Sequence, residues 1–211
     1  MRALALPLLL LALPPFHSAV EPLPTSLRTE LNGRFWQPSC PVPLSGLRLL
    51  TVTHWGFDGE RHTGRLVVRA SVAEPLRGVF RRLYQLRFPI RHMRLSDAYG
   101  PAAARPGDGD VTASFECRQA VPSPCTGGTA TGTWSEHAYG EAVDLNPVEN
   151  PYVGCGRTRD RSALSYLDRS RLRPGMVTDA VVEAFRSIGW GWGGDWSGAT
   201  KDCMHFSHNG H

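Results

Sequence analysis

Ser135-Glu136-His137-Ala138-Tyr139-Gly140-Glu141-Ala142-Val143-Asp144-Leu145-Asn146 sets one imidazole and one carboxylate seven residues apart. Near the other end of the chain, Asp202-Cys203-Met204-His205-Phe206 adds a second imidazole with an acid three residues before it. Three candidate metal ligands result, His137, Asp144 and His205, with Asp202 as a spare acid. A catalytic zinc takes three protein ligands of this kind and keeps a fourth position for water. Two neutral imidazoles and one carboxylate leave such a centre net positive, which draws the pKa of a bound water towards ~7.

The spacing sets a condition on the backbone. On an unbroken strand, positions seven apart point to opposite faces, so His137 and Asp144 can share a metal only across a bend, and Gly140 is placed to supply it. Beyond it, Ala142 and Asp144 face the site while Val143 and Leu145 face the core. Asp202 and His205 need a turn or bulge unless they begin a helix, and the sequence leaves both open. Asp202 is the preferred proton carrier, with Asp195 of the tryptophan stretch Trp190–Trp196 as its rival. Cys203 is a soft potential ligand that reads better as a buried thiol or disulfide partner. His208 and His211 fall in a tail, residues 208–211, that reads as frayed and solvated.

Working outward, Leu47 to Trp55 reads as a strand with Leu50 and Val52 on one face and Thr51 and Thr53 on the other. Phe57-Asp58-Gly59 offers a turn, and Arg65 to Arg69 a partner strand. Ser71 to Glu74 has capping-box form, and Val72, Leu76, Val79, Phe80, Leu83 and Leu86 then recur at helical spacing, with Pro75 expected in the first turn. His92 to Asp97 reads as a further strand. Thr178 to Ile188 is again helical, with Gly189 as its cap. Residues 98–130 and 152–175 are long irregular excursions. The fold class expected is α+β with a small antiparallel sheet, flanking helices and long loops around one zinc site.

The 211 residues, 41% of them hydrophobic, suit one domain with a sizeable core, assigned to residues 46–207. Residues 20–45, with five prolines, read as an extended lead-in. Residues 1–19 read as an export signal: Arg2, an apolar run from Ala3 to Leu13, and a small-residue exit at Ala19. That run is too short to cross a bilayer, which needs roughly twenty residues, so no stable membrane insertion is expected. Five cysteines suit an oxidising compartment, as two disulfides and one leftover thiol whose pairing the spacing leaves open; Cys117 with Cys125 would close a short loop before His137. The net charge of +4 suits an anionic polymer rather than a nucleic-acid groove. A monomer is expected.

Ser135-x-His137-x-x-Gly140-x-Ala142-x-Asp144, Trp190-x-Trp192-Gly193-Gly194-x-Trp196 and Asp202-x-x-His205-Phe206 resemble the zinc D-alanyl-D-alanine carboxypeptidases and L-alanyl-D-glutamate endopeptidases of bacteria and phages. Phe88-Pro89-Ile90, Ser114-Phe115-x-Cys117-Arg118 and Asn146-Pro147-x-x-Asn150-Pro151-Tyr152 extend the resemblance to about residues 47–206. It implies the fold shared by the Hedgehog signalling domain and the vancomycin-resistance D,D-peptidases. It also implies one catalytic Zn2+ on His137, Asp144 and His205, and Asp202 as acid and base. Arg118 would meet the scissile carbonyl oxygen and Ser135 the substrate. The substrate implied is a peptidoglycan stem peptide, cut by a secreted or wall-associated enzyme. Two other classes stand beside this: an inactive zinc-containing wall-binding module of the same fold, and a structural zinc domain with Cys203 as fourth ligand.

Overall fold

Alternation of apolar residues makes Leu47–Trp55 a nine-residue strand, β2, and the computed structural model, which describes residues 14–95, 107–122, 125 and 132–211, places it at the centre of a sheet. Its antiparallel partners are β1 (Ser18–Pro22) and β3 (Arg61–Arg69). Both faces of this sheet are covered. Leu50 and Val52, with Leu66 and Val68 of β3, point into the main core, while Leu47 and Leu49, with Val67, point into a second one.

The main core is closed by two helices, α2 (Ala70–Gln85) and, further along, Asp179–Arg186. Val72, Leu76, Val79, Phe80 and Leu83 recur three or four residues apart and form the buried stripe of α2. The helix starts one residue after β3 ends, with Arg69 at the N-cap and no side-chain cap bond. The expected capping box at Ser71 therefore does not form, and Pro75 falls in the second turn, where it leaves the Ser71 carbonyl without its usual donor. Beyond Asp179–Arg186, Gly189 takes the left-handed φ of 82° expected of a cap.

Residues 20–45 are not an extended lead-in. β1 reaches Pro22, and α1 (Thr25–Leu31) follows with Leu27 and Leu31 in the second core beside Leu23. Leucines four residues apart make one helical face, and Pro22 and Pro24 precede the helix, where a missing N–H costs nothing. The residues before β1 also pack on the domain: Phe16 lies 5.5 Å from the Tyr84 ring, Tyr84 Oη donates to the Pro14 carbonyl, and His17 exchanges hydrogen bonds with Thr53. A cut after Ala19 would divide β1. The apolar run Ala3 to Leu13 lies outside the described residues.

The second half of the chain builds the site from short elements. β4 (His92–Met93) and β5 (Val111–Thr112) pair in parallel, a departure from an all-antiparallel expectation. The strand expected from His92 to Asp97 stops at Met93, since Arg94 and Leu95 leave it, and residues 96–106, 123–124 and 126–131 lie outside the described residues. Next come α3 (Glu136–Tyr139), β6 (Ala142–Asp144), β7 (Tyr152–Val153), α4 (Asp179–Arg186), β8 (Gly191–Trp192), β9 (Lys201–Asp202) and β10 (His205–Ser207). β10 lies between β6 and β8 in a second antiparallel sheet, and β7 pairs with β9 as a ribbon. Phe206 of β10 stacks on Phe185 of α4 at 3.9 Å between ring centres, fixing the strand that carries His205 to the main core. The whole is a mixed helix and small-sheet architecture of the α+β class.

Two disulfides join distant segments, Cys40–Cys117 and Cys125–Cys155, while Cys203 is a buried free thiol. The loop closure expected between Cys117 and Cys125 is thereby replaced. Pairing follows which segments the sheets bring together: Cys117 N donates to the Phe35 carbonyl, which draws the segment after α1 against the one leading to the site. Among the described residues no helix is long and apolar enough to cross a membrane.

Candidate metal centre

Ser135 is the N-cap of α3, its Oγ accepting from His137 N at 3.4 Å. Gly140 ends the helix at φ 68°, and a Cβ there would meet Arg69 N of β3 at 2.7 Å, so the bend the spacing requires falls where only glycine fits. His137 thus sits on one turn of helix rather than on a strand. β6 then carries Asp144 back beside it, with Val143 and Leu145 turned into the main core as expected. The register of β10 against β6 sets His205 directly opposite Asp144. Between β9 and β10, Cys203 and Met204 form a turn, which settles how Asp202 and His205 reach the same corner.

His137, Asp144 and His205 each offer one ligand atom, all within 4.8 Å of one another. His137 Nε2 lies 3.3 Å from Asp144 Oδ2, and His205 Nδ1 lies 3.1 Å from Asp144 Oδ1. The opposite ring nitrogens fix the tautomers. His137 Nδ1 donates to the Ser114 carbonyl at 2.6 Å and His205 Nε2 to the His211 carbonyl at 3.2 Å. Carbonyls only accept, so the lone pairs of both rings are left facing Asp144. Electron-rich atoms converging in a buried corner need protons or a cation between them.

The charges respond accordingly. Burial works against a charged His137, but the Asp144 carboxylate outweighs it and holds the ring pKa above its ordinary value. Burial likewise opposes a charged Asp144, yet His137 and His205 hold its carboxyl well below the usual carboxylate range. Asp202 moves the other way: burial first, then the charge of Asp144, push it up to about 7, against the opposing pull of His205 and Arg118. Two buried atoms here, His137 Nε2 and Asp202 Oδ1, have no hydrogen-bond partner. Orphaned atoms of these types, beside a depressed carboxylate, fit a divalent cation with its bound water.

Arg118 reaches this corner through its backbone and its charge. Its carbonyl accepts from Ser135 N, its Nε donates to Glu116 at 2.9 Å, and its charge acts on both His137 and Asp202. Asp195, the rival acid, pairs instead with Arg186 at 2.7 Å on the surface, both half exposed. Cys203 is not among the three clustered ligand residues; its carbonyl accepts from Trp192 Nε1.

Two parts of the centre were not assigned from the sequence. The Ser114 carbonyl is one, and only the motif Ser114-Phe115 hinted at it. The tail is the other: it is not frayed, because Trp196 Nε1 donates to the Gly210 carbonyl, Asn209 to Glu136, and His211 closes on His205. The tryptophan at Trp196 was the available signal, since a large ring beside a small-residue tail needs a surface to cover.

Fold and site therefore define a mixed α+β domain with a buried His-Asp-His centre and an acid beside it. Residues 129–208 match the family model described as D-alanyl-D-alanine carboxypeptidase, so the resemblance read from the motifs is borne out over that stretch, which holds all three clustered residues and Asp202. No curated protein and no solved structure matches the chain.

Proposed function

We propose that the protein is an exported zinc peptidase that hydrolyses peptidoglycan stem peptides, with the fold of the D,D-peptidases. The observation that carries this is the pair of orphaned buried atoms, His137 Nε2 and Asp202 Oδ1, within a stretch matching a carboxypeptidase family. His137 Nε2, Asp144 and His205 Nδ1 would hold the ion. Bound there, Zn2+ supplies a Lewis acid for the scissile carbonyl and a lowered pKa for water.

The chain's own groups do the rest. Asp202, held at about 7 before any cation is added, accepts the proton of the attacking water at Oδ1 and passes it to the leaving amine as the C–N bond breaks. The products are a carboxylate and a free amine. Arg118 offers its guanidinium to the carbonyl oxygen as negative charge gathers there. Ser135, engaged as the N-cap of α3, acts first by orienting His137 and contacts substrate from that position. Export is supported by two disulfides and the apolar run at the start of the chain.

An acid kept buried at energetic cost next to the ligands counts against an inactive module, and a cluster without Cys203 counts against a four-ligand structural zinc. Asp202→Asn tests the reading. Zinc content should stay at one ion per chain while turnover falls by about 100-fold or more. A variant with near-wild-type turnover would remove Asp202 from the mechanism.

A further inference from the structure

The chain's whole formal excess of positive charge lies in one excursion. Residues 157–173 hold six arginines and two aspartates, a balance of +4 that equals the net charge of all 211 residues, so the remainder is neutral. Arg157, Arg159, Arg161, Arg171 and Arg173 are exposed. The sixth, Arg169, is half-buried and pins the base of the loop, donating to the carbonyls of Glu149 and Val177 and to Asn150 Oδ1. Both aspartates are occupied locally: Asp160 accepts from Ser162 and Asp168 from Ser170. Cys155, at the start of the excursion, is tied to Cys125.

The same loop exposes three leucines. Leu164, Leu167 and Leu172 are 55%, 37% and 54% exposed, three of the four large apolar side chains that stand out among the described residues. Leu167, with Tyr166, Pro151 and Val153, also lines a largely apolar cavity of about 240 Å³ at the foot of the loop. Lys201 and Cys203 share that cavity. Neither Asp202 nor any of the three clustered ligand residues lines it, so the cavity is separate from the metal centre.

We propose that residues 157–173 form a peripheral docking surface for an anionic lipid bilayer. Arginines alone would suit any polyanion, but a soluble polyanion gives the exposed leucines no partner. A bilayer interface takes both, cations at the headgroups and leucines at the acyl boundary. Such a surface would hold a peptidase at the membrane while its catalytic face remains turned to a polymer.

The test is co-sedimentation of the full chain with vesicles of phosphatidylcholine containing about one third phosphatidylglycerol. Binding is expected on these and not on pure phosphatidylcholine, and it should fall at high salt. The triple variant Arg159→Gln, Arg161→Gln, Arg171→Gln should bind at least about tenfold more weakly. Leu164→Ser with Leu172→Ser should also lose about tenfold at low salt, with zinc content and thermal midpoint unchanged. Unaltered vesicle binding by the leucine variant, or full displacement of the protein from vesicles by soluble polyphosphate at low salt, would overturn the proposal in favour of a purely electrostatic polymer site. Failure to bind either would overturn it outright, and none of these outcomes bears on the metal centre.

Discussion

Gly140→Ala acts where the two halves of the proposed ligand set are joined. A left-handed backbone costs a residue with a Cβ roughly 1–2 kcal/mol. Here the new carbon would also lie 2.7 Å from Arg69 N and 3.2 Å from Val68 C, both backbone atoms of β3, so neither can rotate aside. Relief requires moving Gly140 away from β3, which strains the bond from Arg69 N to the Gly140 carbonyl at 3.0 Å, worth about 1 kcal/mol. The loss in stability is therefore about 2–3 kcal/mol, about 1 kcal/mol above the strain alone. Gly59 provides the control, because its φ of 77° imposes the same strain and its Cβ would meet nothing within 4 Å. Urea unfolding of both variants, with zinc affinity measured by chelator competition, separates the effects. Gly59→Ala should lose about 1–2 kcal/mol with zinc affinity intact, whereas Gly140→Ala should lose about 1 kcal/mol more and bind zinc at least tenfold more weakly. Equal losses in the two variants, with zinc affinity unchanged, would refute the argument that the bend at Gly140 sets the ligand geometry.

Burial, then the hydrogen bond and charge of Glu149, push Asp110 up to about 8 from 3.8. The folded protein keeps this proton between about pH 4 and 8 while the unfolded chain releases it, so this group's contribution to stability falls as pH rises through that window. Denaturation midpoints measured from pH 5 to 8 should decline less steeply in Asp110→Asn than in the parent. Cys203 is buried and its pKa raised by that burial, so the native thiol should resist alkylation at pH 8 and react after unfolding. Cys203→Ser should retain one zinc per chain; its loss would restore the four-ligand structural reading. Cys40–Cys117 spans 77 residues, and removing it should lower stability by about 4 kcal/mol, read as a shift in urea midpoint.

Elements that declare themselves by period were legible in the sequence. Leu47–Trp55 and the buried stripe of α2 need only alternation or three-to-four spacing, and both form where expected. The ligand trio was legible for a different reason: the requirement for a bend turned a distance along the chain into a statement about Gly140. What was missed depends on partners far away in sequence. A four-residue helix such as α3 is too short to show a period, so no helix was read at His137. The prolines around α1 obscured leucines at a helical step. Ser71 could not cap because β3 runs directly into α2, and the cap belongs to whichever residue leaves the strand. The carbonyls of Ser114 and His211 have no side-chain signature at all. They act only because packing brings them to the outer nitrogens of the two rings.

The central claim is that His137, Asp144 and His205 hold one zinc that the chain uses, with Asp202, to cut peptidoglycan peptides. Digestion of purified muropeptides, with products identified by mass, tests it most directly. Incubation should release terminal alanine or cleave the stem, stop on chelation, and resume when one equivalent of zinc is restored. Hydrolysis that survives chelation, or muropeptides that emerge unchanged from a zinc-loaded protein, would contradict it.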